Sequence, residues 1–256
     1  DIRYHAMPDG RRIAFHHTPG AGVTSGPTLV LLPGYMSDMA GGKATAVFER
    51  AQQEGRGCLL LDYSGCGESS GEFADGTLSR WREEVLALLE AYVDGPVVAI
   101  GSSMGGWLML LVAEELRENA ANPLAGIIGI APAPDFTTWG YTEEQRAIMA
   151  GGETVYEDNP YGPEPTPTHP GFFADAEDNL LLAAPIALDC PVRLLHGRQD
   201  MDVPWEISVA LAEALDTDDV QVTLLWDGDH RLSRPQDIAL LHRTVSGFYE
   251  SAPETP

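Results

Sequence analysis

Short apolar runs alternate with amphipathic stretches along this chain. Thr28 to Leu32, Cys58 to Asp62, Val97 to Ile100, Ile127 to Ile130, Val192 to Leu195 and Val220 to Leu225 each span four to six residues. Runs of that length, mostly apolar, are expected of buried strands. Helical periodicity fills the intervals. Ala44 to Glu54 is helical, Leu78 to Tyr92 carries Trp81, Val85, Leu88, Leu89 and Tyr92 on one face, and Gly105 to Arg117 and Ile238 to Tyr249 complete the set. Such alternation predicts βαβ units around a mostly parallel sheet. Near the start, Ile2 to Met7 and Arg11 to His16 flank Pro8-Asp9-Gly10 and predict a hairpin.

The alternation stops between Ala131 and Pro185. Pro160, Pro163, Pro165, Pro167 and Pro170 crowd one stretch, which excludes central strand and helix interior there. Phe136, Trp139, Tyr141, Tyr156, Tyr161, Phe172 and Phe173 are scattered through the segment. We expect one domain over residues 1–256, with 131–185 as a cap or lid inserted into the sheet domain. No internal repeat is visible.

Composition narrows the partners. The 256-residue chain has a formal net charge of −24, which repels nucleic acid and anionic membranes. No apolar run is long enough for a membrane span, and Asp1-Ile2-Arg3-Tyr4-His5 lacks the features of a signal peptide. Three cysteines, Cys58, Cys66 and Cys190, have no metal-ligand spacing. They predict reduced thiols in a cytoplasmic protein, without metal or cofactor. A monomer or homodimer is expected.

The chemistry centres on Gly101-Ser102-Ser103-Met104-Gly105, which fits G-x-S-x-G. The string follows an apolar strand and opens a helix, the setting in which a sharp turn strains a serine and lifts its hydroxyl above a sheet. A serine hydroxyl needs a base. Of seven histidines, His230 follows the strand Val220 to Leu225 in a short polar loop, from which an imidazole reaches across the carboxyl edge of the sheet. The base needs an orienting carboxylate. Asp200 falls in the loop after Val192 to Leu195, with Asp202 as its competitor. The order Ser, Asp, His is the one used by the α/β-hydrolase fold. The oxyanion requires two N–H donors. Met104 is one, and Tyr35, or else Met36, in the loop after Leu32 is the other. The glycine turn from Asp62 to Ser69 is expected to be structural.

Several strings resemble one branch of the α/β-hydrolases, that of the mitochondrial palmitoyl-protein thioesterases and acyl-glucuronide hydrolases. They are Leu32-Pro33-Gly34-Tyr35-Met36-Ser37, Asp62-Tyr63-Ser64-Gly65, the run from Gly101 to Leu110, Cys190 to Gly197, Val203-Pro204-Trp205 and Asp229-His230-Arg231. The resemblance covers the sheet domain and fades in the lid. It implies an α/β-hydrolase fold, catalytic roles for Ser103, Asp200 and His230, and a mitochondrial setting if the source is eukaryotic.

The expected activity is two-step hydrolysis of esters or thioesters of small to medium, or long-chain, acyl groups. Met36, Trp107, Trp139, Phe172, Phe173 and Trp205 are candidates to hold the acyl group, with core packing as the alternative for each. The other function classes are an acyl-glucuronide hydrolase, a prolyl-oligopeptidase-like peptidase, whose usual propeller does not fit this length, and a catalytically silent binding protein.

Overall fold

Side chains on successive strand positions point to opposite faces, and here both faces are buried. In the computed structural model, which describes residues 1–21 and 26–250, β3 (Thr28–Leu32), β4 (Cys58–Leu61), β5 (Val97–Ser102) and β6 (Leu124–Ile130) form the middle of one sheet. Val30, Leu32, Leu59, Leu61 and Ala99 pack on one side with α2 (Leu78–Tyr92) and α3 (Met104–Leu116). Their neighbours Leu29, Leu31, Leu60, Val98 and Ile100 pack on the other, with α1 (Gly42–Gln53) and α8 (Pro235–Glu250). Double coverage explains why these strands read as unbroken apolar runs.

β1 (Arg3–Ala6) and β2 (Arg12–Thr18) form the expected hairpin and extend one edge. β10 (Val192–Gly197) and β12 (Val220–Leu225) extend the other. The eight-stranded order is β1-β2-β4-β3-β5-β6-β10-β12. β2 runs antiparallel to β1 and β4, and every other pairing is parallel. After β3 the chain moves to β4, and it then returns across β3 to form β5. The loops leaving the carboxyl ends of β3 and β5 diverge there, which opens a crevice at the point where open α/β sheets bind ligands.

The segment between β6 and β10 carries α4 (Phe136–Trp139), α5 (Glu143–Ala150), the ribbon of β7 (Val155–Glu157) with β8 (Thr166–Thr168), α6 (Pro170–Glu177) and β9 (Ile186–Ala187). β9 pairs with β11 (Leu215–Asp216), which follows α7 (Glu206–Ala214). The prolines fall where the backbone tolerates them. Pro167 lies in the short two-stranded ribbon, and Pro170 opens α6, where its missing N–H costs no helical bond.

Asp135 ties this segment down at both ends. It is buried, with φ 56°, and its carboxylate accepts from the backbone N–H groups of Leu181 at 2.9 Å and Leu182 at 2.8 Å. Burial pushes this carboxyl above its ordinary pKa, and those two hydrogen bonds pull against the rise. Asp135→Ala leaves both donors without their acceptor and is expected to cost about 1–3 kcal/mol. Urea unfolding measures this, and a change below about 0.5 kcal/mol would show that the clamp does not hold.

Candidate active site

Ser103 stands between β5 and α3 with φ 55° and ψ −122°, a conformation that L-residues rarely adopt. The surrounding backbone is packed too closely for side chains. A Cβ on Gly101 would lie 2.7 Å from the Gly106 Cα, and one on Gly105 would strike the carbonyls of Leu32 and Pro33. The strained residue is held at both ends. Its N–H donates to the Ile130 carbonyl at 3.0 Å, and its own carbonyl accepts from Gly106 at 2.8 Å and Ala133 at 3.0 Å. The hydroxyl therefore sits above the carboxyl edge of the sheet, in the wall of a cleft of about 730 Å3.

Asp200 and His230 meet on the same edge. The His230 Nδ1 lies 2.8 Å from the Asp200 Oδ2, with the aspartate side chain fully buried and the imidazole 16% exposed. The carboxylate makes Nδ1 the protonated nitrogen and leaves the Nε2 lone pair free to accept a proton. Two loops must touch for this pair to form. A Cβ on Gly197 would strike the Gly228 and Asp229 backbone, and the Gln199 N–H donates to the Gly228 carbonyl at 2.9 Å. The glycines at the ends of β10 and β12 thus let the Asp200 and His230 loops approach backbone to backbone.

Asp200 is a hub. Its Oδ1 accepts from the N–H groups of Asp202 at 2.9 Å and Val203 at 2.8 Å. Its Oδ2 also accepts from the Nε2 of His196 at 3.1 Å. Burial opposes the charge, but the hydrogen bonds from His196 and His230 outweigh it and hold the carboxyl well below the usual range. His196 is a supporting residue for that carboxylate. It is fully buried, its Nε2 also faces the Val203 carbonyl at 3.0 Å, and its Nδ1 meets the Ser208 hydroxyl at 2.7 Å. Two acceptors at Nε2 fix the tautomer, so Nδ1 accepts from Ser208. Its position four residues before Asp200, at a strand end, was the available signal.

Asp202 points elsewhere. It is exposed, and its carboxylate accepts from the Tyr161 hydroxyl of the β7–β8 loop. Asp200, Asp202 and His230 do offer ligand atoms within 4.8 Å of one another. The Asp200 carboxylate already accepts four hydrogen bonds within the chain.

The loop after β3 lies against Ser103. A Cβ on Gly34 would stand 3.3 Å from the Ser102 carbonyl and 3.4 Å from the Ser103 Cβ. Tyr35 turns its side chain away, donating its hydroxyl to the Pro167 carbonyl at 3.0 Å and packing against Phe73, Phe136 and Phe172. Met36 adopts φ 55° and is 46% exposed. Asp62 braces the far side of the loop by accepting from the Met39 N–H at 2.7 Å, the structural role expected of the Asp62 to Ser69 turn. Met104 is the first residue of α3, where N–H groups lack helical partners and the helix dipole favours negative charge.

Of the candidate substrate-binding residues, Met36 and Trp139 line the cleft, together with Tyr35 and Met104. The other four are displaced from it. Trp107 is fully buried in the core and donates to the Asn179 carbonyl at 3.0 Å. Phe172 is buried between Tyr35, Trp81 and Phe136. Phe173 packs with Met149 and Val155 inside the 131–185 segment. Trp205 stacks on the guanidinium of Arg198 at 4.5 Å, outside the cleft wall. Core packing claimed Trp107, Phe172 and Phe173 because large aromatics bury most area there. Tyr141, Tyr161 and Met201 line the cleft in their stead.

The cysteines are buried, and burial pushes the Cys66 and Cys190 thiols up to about 12, far from thiolate chemistry. Burial lowers His16, His17 and His242. His5 bonds to the Tyr92 hydroxyl and His169 to that of Thr154.

Known proteins are similar to this chain in sequence and fold. Residues 29–250 match the model of the alpha/beta hydrolase family. The mitochondrial palmitoyl-protein thioesterase ABHD10 of Mus musculus is 40% identical over 229 residues, covering 88% of this chain and 75% of that protein. Its Homo sapiens counterpart is 34% identical over 252 residues, covering 95% and 78%. Among solved structures, a putative hydrolase from Agrobacterium vitis superposes with TM-score 0.90 at 39% identity, covering 97% of this chain and 99% of that one. Mouse alpha/beta hydrolase domain-containing protein 10 superposes with TM-score 0.87 at 35% identity, covering 98% of each. With its sheet order, its strained serine turn and a family match over most of its length, this chain belongs to the alpha/beta hydrolase family.

Proposed function

We propose that this hydrolase cleaves carboxylic esters and thioesters through an acyl-enzyme on Ser103, with His230 as base and Asp200 as its orienting acid. One observation carries the reading. His230, held 2.8 Å from the buried Asp200 behind it, lines the same cleft as the strained Ser103. Nε2 of His230 takes the hydroxyl proton as Ser103 Oγ attacks the carbonyl, and the N–H groups of Tyr35 and Met104 receive the oxyanion. His230 then protonates the departing alcohol or thiol. In the second step it activates water, which attacks the acyl carbon and returns the free acid and Ser103.

The curated relatives named above are palmitoyl-protein thioesterases, which supports acyl thioesters as one substrate class. Met36, Trp139 and Tyr141 supply apolar and aromatic surface in the cleft, suited to an acyl chain. Residues 131–185 act as the cap over it, since Trp139, Tyr141 and Tyr161 all belong to that segment. The same relatives are mitochondrial by name, which favours a mitochondrial-type setting over the cytoplasmic one expected from the cysteines.

Asp200→Asn is expected to lower kcat by about 10^4-fold, by analogy with other serine triads, while Asp202→Asn stays within about tenfold. A larger loss at Asp202 would exchange their roles. A fluorophosphonate probe followed by mass spectrometry is expected to label Ser103 alone, and labelling that survives Ser103→Ala would sink the nucleophile assignment. Across p-nitrophenyl esters and matched acyl thioesters, kcat/KM is expected to rise from acetyl to medium-chain groups. Flat, near-background rates in both series would count against acyl hydrolysis.

A further inference from the structure

Lys43 is the only lysine in the chain, and the rest of its 15 basic residues are arginines. It occupies the second position of α1, where the helix dipole disfavours a cation, so helix electrostatics do not account for it. Its Nζ leaves the helix and donates to the backbone carbonyl of Arg231, the residue after His230, 188 positions away. Lys43 lines the main cleft beside Ser103 and His230. On its other side it borders a small apolar space with Leu232, Leu240 and Leu241.

The loop it reaches is strained. Leu232 has φ 44° and is 4% exposed, so a bulky residue is buried in a left-handed conformation that such residues rarely adopt. The Leu232 N–H donates to the Asp229 Oδ1 at 3.0 Å. Arg234 pairs with Asp237 at 2.9 Å and with Asp227 at 2.8 Å. The Arg231 guanidinium lies 5.5 Å from the Tyr161 ring centroid. These contacts brace the loop at its ends and along its side chains, and the Lys43 bond reaches the backbone next to the imidazole. Burial and the Arg231 charge lower the Lys43 ammonium to about 8, against the pull of Asp229 and Asp237. A hydrogen bond from a partly desolvated ammonium is of the stronger, charge-assisted kind.

We propose that Lys43 is a positioning residue for the proposed base. By gripping the Arg231 carbonyl, it holds the backbone that aims His230 between Asp200 and Ser103. The inference rests on the reading of His230 as base. It assigns Lys43 no contact with the reacting atoms.

Lys43→Met keeps the stem and removes the donor. With the p-nitrophenyl ester giving the fastest turnover, kcat is expected to fall about tenfold or more, while KM stays within about twofold. The rate of Ser103 labelling by a fluorophosphonate is expected to fall in parallel. A folded variant with kcat within about twofold of the parent would overturn the proposal, as would a rise in KM with kcat unchanged. If Lys43→Met does not fold, Lys43→Gln, whose amide stops short of the carbonyl, carries the test with the same outcomes. Leu241→Ala enlarges the same apolar space without touching the bond. It is expected to lower Tm and keep kcat within about twofold, and a matching loss of kcat would assign the effect to packing and overturn the proposal. His230→Ala, assayed alongside, separates the two failures. Parental turnover there would remove the base reading itself, whereas a dead His230→Ala beside a fully active Lys43→Met would remove only the positioning role.

Discussion

The turn at Ser103 is the constraint on which the carboxyl edge of the sheet depends. A non-glycine residue at φ 55° and ψ −122° persists only where the surroundings over-determine it. Here they do so with three backbone hydrogen bonds to Ile130, Gly106 and Ala133. Contacts that leave no room for a Cβ at Gly101 or Gly105 add to this restraint. α3 contributes by being buried around nearly its whole circumference, so its first turn cannot tilt away from the sheet. Strain in the serine is thus offset by packing that extends to Leu116, and the hydroxyl is presented without flexible reach.

Charge management follows the same logic on the neighbouring strands. Asp200 lies out of water, where an unpaired carboxylate would neutralise itself. Two backbone donors and two imidazoles keep it ionised. Because its folded pKa is depressed, the stability it contributes is present above the ordinary carboxylate range and is lost as pH falls below it. The same network sets both histidine tautomers, one facing the cleft and one facing the core. Close approach of Gly197 to Gly228 brings the two loops near enough for one aspartate to serve both histidines.

The sheet was legible because its strands are buried on both faces and its helices are amphipathic. The motif around Ser103, and the loop positions of Asp200 and His230, followed from strand ends that the hydrophobic pattern located to within a few residues. The segment from 131 to 185 was less legible for a physical reason. Its elements are short, and its aromatics serve core and cleft alike, so sequence could not tell Trp139 in the wall from Phe172 or Phe173 inside. His196 and Lys43 escaped functional notice because their partners are a buried carboxylate and a backbone carbonyl, contacts that leave no local periodicity. In the case of Lys43 the unused signal was compositional, a single lysine in a chain that otherwise uses arginine.

The central claim is that acyl groups pass covalently through Ser103 under the action of His230. Rapid-quench mass spectrometry of the protein turning over a slow acyl thioester tests it directly. The account predicts one acyl adduct per chain, mapped to the Ser103 peptide and decaying at the turnover rate. Turnover with no adduct, or with an adduct on another residue, would contradict it.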